Sequence, residues 1–391
     1  MGTRGEGAAN GAAYLDYNAT APMRPEAVAA MLRIMQSVGN SSSPHEYGRD
    51  AADAVSAGRL QLASLLGCSA GELVYTAGAT EANNLALTTA CAGARRVITA
   101  ATEHPAVLEV ARAVSLGSPV VLSVGADGRI DCAELRRTLS AGPAAVVSVM
   151  AANNETGVLA DLEEIVAIAH DGGALVHTDA TQMVGRLPID LSVLDVDMLS
   201  LSAHKFGGPQ GVGALFIRRG TRVPQVPIVR GGGQERGWRA GTLNVAGIVG
   251  AGAAASVAAA SMGVECQRVE GLRDRLERSI SASASTAFIN GSRARRLPGV
   301  SSITFPGVPA DALMASMPGI AVSDGSACSS GALGASHVLL AMGLSTDEAE
   351  STIRLSLGYG TTAAEIDNAI EAITNAVARL RDVMTPPVPS R

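Results

Sequence analysis

Val97–Ala100, Ala144–Val149, Leu175–His177, Met198–Leu201 and Ala214–Ile217 are runs rich in apolar residues and free of charged ones. A strand covered on both faces reads this way, because neither face meets water. Thr80–Cys91 and Leu162–Ala169 read as helices between such runs. Strand–helix alternation of this kind predicts an α/β domain around a mostly parallel sheet.

The pattern changes after about residue 262. Val269, Leu272, Leu276 and Ile280 mark one face of a long helix, and residues 300–305 read as a strand. A last helix opens on a capping box, Thr362 to Glu365, and carries Ile366, Ile370, Ile373, Val377 and Leu380 on one side. This predicts a large domain over residues 14–260 and a smaller α+β domain over 261–384, with the N-terminal segment packing on the latter. The boundary falls near 255–265. Residues 1–13 and 385–391 read as frayed tails.

Ile248–Val264 is the longest run of low polarity, but it is mostly Ala and Gly. It reads as a buried small-residue helix, not a membrane span. The N-terminus has no apolar signal-peptide core, and Glu6 stands where a myristoylation signal needs Ser or Thr. A soluble, cytoplasmic protein is expected. With 391 residues, 47% apolar and 17% charged, the chain has material for a substantial core. A net charge of −6 and only four Phe, five Tyr and one Trp argue against a nucleic-acid surface. The five cysteines, Cys68, Cys91, Cys132, Cys266 and Cys328, are dispersed. They suit a reducing compartment and form no metal-ligand spacing, so no metal is expected.

Thirty residues are Lys or Arg, yet Lys205 is the sole lysine. A lysine can lose its proton and form a Schiff base, which a guanidinium cannot. On the count alone, drift toward arginine is an equal alternative. The setting of Lys205 adds to the chemical reading. It follows a predicted strand in Ser202-Ala203-His204-Lys205-Phe206-Gly207-Gly208-Pro209, where loops line the crevice of an open α/β sheet. Asp179 ends an earlier strand. A Schiff-base lysine with an aspartate for a ring nitrogen is the pairing that pyridoxal 5'-phosphate requires. Ala77-Gly78-Ala79-Thr80-Glu81 opens a helix and supplies a phosphate site. His104, after Val97–Ala100, is placed to stack on the cofactor ring and move protons. His170 reads as solvated, and His177 as structural or as support for the site.

These residues resemble the class V branch of the fold-type I pyridoxal-phosphate enzymes, and within it the cysteine desulfurases. The likeness runs from Tyr14 to Leu380. Its motifs are Leu15-Asp16-Tyr17-Asn18-Ala19-Thr20, Gly78-Ala79-Thr80-Glu81-Ala82-Asn83-Asn84, Thr102-Glu103-His104, Asn153-Asn154-Glu155-Thr156-Gly157 and Asp179-Ala180-Thr181-Gln182. Ser202-Ala203-His204-Lys205, Gly231 to Arg236, Arg239-Ala240-Gly241-Thr242, Gly325 to Gly331 and Ile353-Arg354-Leu355-Ser356-Leu357-Gly358 continue the series. The resemblance implies that Lys205 holds the cofactor, that Asp179 pairs with the pyridine nitrogen and that Gln182 bonds the ring hydroxyl. His104 would stack on the ring. Ala79, Thr80, Ser202 and His204 would hold the phosphate, with Thr242 reaching over from the second subunit of a homodimer. Asn154 and Arg354 would grip the substrate carboxylate.

Cys328 lies among small residues in Ser323-Asp324-Gly325-Ser326-Ala327-Cys328-Ser329-Ser330-Gly331, which reads as a mobile loop. The resemblance implies that it attacks the sulfur of L-cysteine, releases L-alanine and carries a persulfide to an acceptor protein. Two departures from the family pattern stand out. Gly208-Pro209-Gln210-Gly211 has glutamine where the family has lysine, and Leu333-Gly334-Ala335-Ser336-His337 lacks the usual acid and proline after the loop. An aminotransferase, a selenocysteine lyase and a non-catalytic subunit of a sulfur-transfer complex are the competing readings. The sulfur destination is open between iron–sulfur assembly, tRNA thiolation and DNA phosphorothioation.

Overall fold

The structure is a computed structural model that describes residues 12–93, 96–324 and 334–384. All the strands and helices named above are present, with ends shifted by a few residues. The main sheet has seven strands, in the order Leu73–Thr76, Gly213–Ile217, Met198–Ser202, Leu175–Asp179, Val146–Ser148, Val97–Ala100, Val120–Leu122. Only Gly213–Ile217 runs against its neighbours, so the sheet is mostly parallel as expected. Leu73–Thr76 and Val120–Leu122 complete the sheet at its two edges and were not among the runs predicted above. Helices cover both faces, which is why the central strands carry almost no exposed side chains.

A second core forms around Leu15, Leu276, Ile280, Phe305, Ile353 and Ile373. Its sheet is antiparallel, in the order Ser323–Asp324, Thr352–Ser356, Val300–Thr304, Phe288–Ile289. The capping box of the last helix is formed: Thr362 N donates to Glu365 Oε2 at 2.7 Å, and Glu365 N to Thr362 Oγ1 at 3.2 Å.

Three readings change. The expected boundary near 255–265 falls inside one unbroken helix, Val245–Ser283. Its first part supplies Ile248, Ala251, Ala254 and Ala255 to the main core, and its second part supplies Val269, Leu276 and Ile280 to the other. Ala13 is not part of a frayed tail. It is fully buried and pairs in parallel with Ile320, because its strand gains main-chain partners in the second core. His170 is only partly solvated: a third of its side chain is exposed, and its Nε2 lies 3.0 Å from Asp197 Oδ2. The tails at 1–11 and 385–391 lie outside the described residues.

The small-residue reading of Ile248–Val264 holds. The helix Val245–Ser283 is long and apolar enough to cross a membrane by length and composition. Here its Gly/Ala face packs on the helix Glu46–Leu66, where a Cβ at Gly252 would lie 2.6 Å from the Cα of Gly58. That approach is open only to glycine.

Candidate active site

The parallel strands deliver the predicted residues at their C-terminal ends. Asp179 and Ser202 are the last residues of their strands, and Lys205 follows Ser202 by one short turn. The helix Ala79–Ala90 begins just after the strand Leu73–Thr76. Gly213 makes that start possible: a Cβ there would lie 2.6 Å from Gly78 Cα.

A cavity of about 150 Å³ gathers Ala79, Thr80, His104, Asn154, Asp179, Gln182, Ser202, His204 and Lys205 on one wall or another. These residues come from segments far apart in sequence. A larger cavity of about 370 Å³, lined in part by Asp127, Arg129 and Asp131, contains none of them. Several of its charges are paired with each other or with neighbours: Arg129 bonds Asp127 at 2.8 Å, and Arg137 reaches Asp131 at 3.5 Å.

Asp179 is 7% exposed. Its Oδ2 accepts from Asn83 Nδ2 at 2.7 Å and its Oδ1 from Thr181 N at 3.0 Å. Lys205 Nζ donates to the main-chain carbonyls of Asn18 and Ala19, the latter at 2.8 Å. Gln182 Nε2 donates to the same Asn18 carbonyl at 3.0 Å. Ser202 Oγ accepts from Ala79 N at 2.8 Å, joining the lysine strand to the helix start. His204 Nδ1 lies 3.1 Å from Thr20 Oγ1. Burial, with the charges of Lys205 and Arg186, pushes the His204 imidazole down to about 4, so it is neutral at pH 7.

His104 caps the helix Pro105–Val114: its Nδ1 accepts from Ala106 N at 3.0 Å. The neutral ring therefore carries its proton on Nε2. Burial lowers the pKa, the Asp179 charge opposes this, and Lys205 and His337 add to it. His177 is fully buried, with Nδ1 2.9 Å from Ser148 Oγ and Nε2 2.9 Å from Ser200 Oγ. It supports the strand that ends in Asp179.

Arg354 and Thr242 do not line the cavity. The Arg354 guanidinium, 1% exposed, donates to Asp16 Oδ1 at 2.6 Å and to the Asn154 carbonyl at 3.1 Å. Thr242 is exposed. It follows a segment where Glu235 (φ 49°) and Arg236 (φ 56°) take the left-handed conformation, which disfavours side chains. Buried ties offset that cost: Glu235 pairs with Arg59 and accepts from Tyr75 N at 2.7 Å. Cys328 lies outside the described residues. Further along the chain, Ser336 Oγ donates to Glu155 Oε2, and His337 Nε2 lies 2.9 Å from the Glu103 carbonyl.

The match to known proteins follows this geometry. The family model described as aminotransferase class-V matches residues 13–369. The chain belongs to that family. A protein of Anaeromyxobacter sp. (strain Fw109-5), named cysteine desulfurase IscS, is 44% identical over 95% of this chain and 93% of its own length. A protein of Gluconacetobacter diazotrophicus, named cysteine desulfurase, is 43% identical over 95% of each chain. The solved structure of a NifS-like protein from Rickettsia africae ESF-5 covers 94% of this chain and 99% of that one, at 31% identity and a TM-score of 0.86. The fold-type I architecture expected from the sequence is thereby confirmed.

The cofactor of this family is pyridoxal 5'-phosphate, and the cavity fits it. Asn83 Oδ1, Thr181 Oγ1 and Gln182 Oε1 are buried atoms of lining residues without a hydrogen-bond partner among the described residues. Buried polar atoms are rarely left so. A ring hydroxyl can donate to Gln182 Oε1, and a protonated ring nitrogen to Asp179. Four residues here were quoted in motifs or passed over without a role: Asn18, Thr20, Asn83 and Arg186. Polar neighbours such as Asp16, Glu81 and Asn84 stand in the same motifs, so nothing local singles these residues out.

Proposed function

We propose that this chain is a cysteine desulfurase that converts L-cysteine to L-alanine and leaves the sulfur as a persulfide on Cys328. The observation that carries the reading is the single cavity holding Lys205, Asp179, Gln182 and His104, with the orphan acceptor Gln182 Oε1.

The bound cofactor supplies an electron sink conjugated with the substrate's Cα. The chain does the rest. Lys205 takes the Cα proton once its amine is released. Asp179, held by Asn83 and Thr181, keeps the ring nitrogen protonated. His104, neutral with its proton on Nε2, donates during proton transfer. Ala79, Thr80, Ser202 and a neutral His204 hold the phosphate, and Thr242 of a second subunit completes it in a homodimer. Asn154 lies where it can take the substrate carboxylate. Arg354 joins it by way of Asn154 and Asp16. The Cys328 thiolate attacks the substrate sulfur. The carbon–sulfur bond breaks, a sulfur–sulfur bond forms, and the electron pair left on carbon takes a proton to give the alanine methyl group.

The sulfur passes to an acceptor protein, because an acidic chain poor in aromatic residues is poorly suited to nucleic acid itself. Iron–sulfur assembly, tRNA thiolation and DNA phosphorothioation each consume such sulfur. Incubation with radiolabelled cysteine, followed by identification of the protein that removes the label from Cys328, selects among them. A thiolate of this kind requires a reducing compartment such as the cytoplasm.

The decisive assay measures alanine and sulfide released from L-cysteine with a reductant and no keto acid. Equal amounts of both are expected. Keto-acid-dependent turnover without sulfide would identify an aminotransferase, and a colourless protein that takes up no cofactor a non-catalytic subunit.

A further inference from the structure

Asn18 is 1% exposed and all of its polar atoms are engaged. Its N–H donates to Ser356 Oγ at 2.9 Å and its Nδ2 to the Asn154 carbonyl at 2.8 Å. Its Oδ1 accepts from Arg186. Its main-chain carbonyl accepts from Gln182 and from Lys205 Nζ. Arg186 also donates to the Tyr17 carbonyl at 2.8 Å and the Lys205 carbonyl at 3.3 Å, and among the described residues no carboxylate pairs with it. A buried guanidinium without a carboxylate is costly, so its place behind Lys205 asks for a reason.

We infer that Asn18 is a positioning residue for Lys205: its side chain, pinned between Arg186 and Asn154, holds the carbonyls of Asn18 and Ala19 as a seat for the lysine amine whenever an amino acid has taken its place on the cofactor. The inference rests on the reading that Lys205 carries the cofactor. In that exchange Nζ gives up its bond to the cofactor's aldehyde carbon to the incoming amino nitrogen. It leaves with the protons that the amino acid's ammonium brought, and no electrons are gained or lost. Two carbonyl oxygens suit an ammonium, which has three N–H donors, better than a nitrogen bonded to the cofactor, which has at most one. The seat therefore favours the exchanged form and keeps Nζ beside the site, from where it acts on the substrate only after giving up a proton.

The test uses Asn18→Ala, which removes both pins and changes no charge. Because Lys205 is the sole lysine, its reactivity in the apoprotein can be read cleanly by acetic anhydride labelling and peptide mapping. At fixed pH, labelling of Lys205 should rise about tenfold, the scale of one lost hydrogen bond to a charged group. In the holoprotein, the equilibrium constant for exchange with 2-methylalanine, which has no Cα proton to lose, should fall by about the same factor in the visible spectrum. Arg186→Lys keeps the charge but not the fork, and should shift both readouts the same way by less; it serves if Asn18→Ala does not fold. A merely structural loss would not raise labelling and lower exchange together. Wild-type values for both readouts in a folded variant would overturn the seat. Borohydride reduction of the wild-type holoprotein separates the two readings: if it fails to fix the cofactor on the Lys205 peptide, the assignment of Lys205 falls, whatever the labelling shows.

Discussion

Asn83 Nδ2 donates to Asp179 Oδ2 at 2.7 Å, from one turn inside the helix Ala79–Ala90 to the end of the strand Leu175–Asp179. The helix expected to hold the cofactor phosphate thus also orients the carboxylate expected at the ring nitrogen. Asn83→Ala removes that donor and leaves the buried carboxylate short of one partner. Cofactor affinity, measured by titrating apoprotein and following visible absorption, should weaken by about tenfold or more.

Lys205→Ala removes the only side-chain amine in the chain. The visible band of the cofactor bound through an amine should vanish, and alanine release from L-cysteine should fall to background. Persistence of both would place the chemistry elsewhere.

Cys328→Ser separates cofactor chemistry from sulfur transfer. The variant should keep the cofactor and still change colour on adding L-cysteine, but form no persulfide, sulfide or alanine, as mass spectrometry and an alanine assay would show. Full activity would move the sulfur role to another group.

Glu155 is buried beside Ser336 and Arg354, and desolvation raises its carboxyl from an ordinary 4.5 to about 7. The hydrogen bond from Ser336 and the Arg354 charge oppose the rise, and Asp324 adds to it. A carboxyl raised in the folded state binds more protons there than in the unfolded chain. Its contribution is therefore fully present below about 4.5 and lost as pH climbs through about 7. His177, pushed by burial down to about 4, works the other way, losing stability as pH falls below its ordinary 6.5. The difference between wild type and Glu155→Gln isolates the first effect. Urea midpoints should show the variant gaining on wild type between pH 4.5 and 7, by up to about 3 kcal/mol. A constant difference across that window would contradict the assignment.

Gly252→Ala sets two effects against each other. Helix propensity alone favours alanine by about 1 kcal/mol. The new Cβ, however, would lie 2.6 Å from the Cα of Gly58, and backbone cannot swing aside. Overpacking of this kind costs about 1–3 kcal/mol, so the net change in urea unfolding should be destabilising.

The order of elements, the mostly parallel sheet and the residue types at its strand ends were legible in the chain itself. Hydrophobic period, capping signals and small-residue motifs act over a few residues, and the sole lysine is singled out by composition, though only its place after a strand points to chemistry. The strand Leu175–Asp179 and the helix Ala79–Ala90 were readable for that reason. What only the tertiary structure decided are contacts between residues far apart in sequence. These include Asn18 beneath Lys205, Asn83 on Asp179, Arg354 turned to Asp16, Ala13 buried against Ile320, and one helix passing through two cores. No local preference encodes these pairings. They follow from how the sheet order and the packing of small side chains bring distant segments together, and the polar groups so buried must then find partners where the fold has left them.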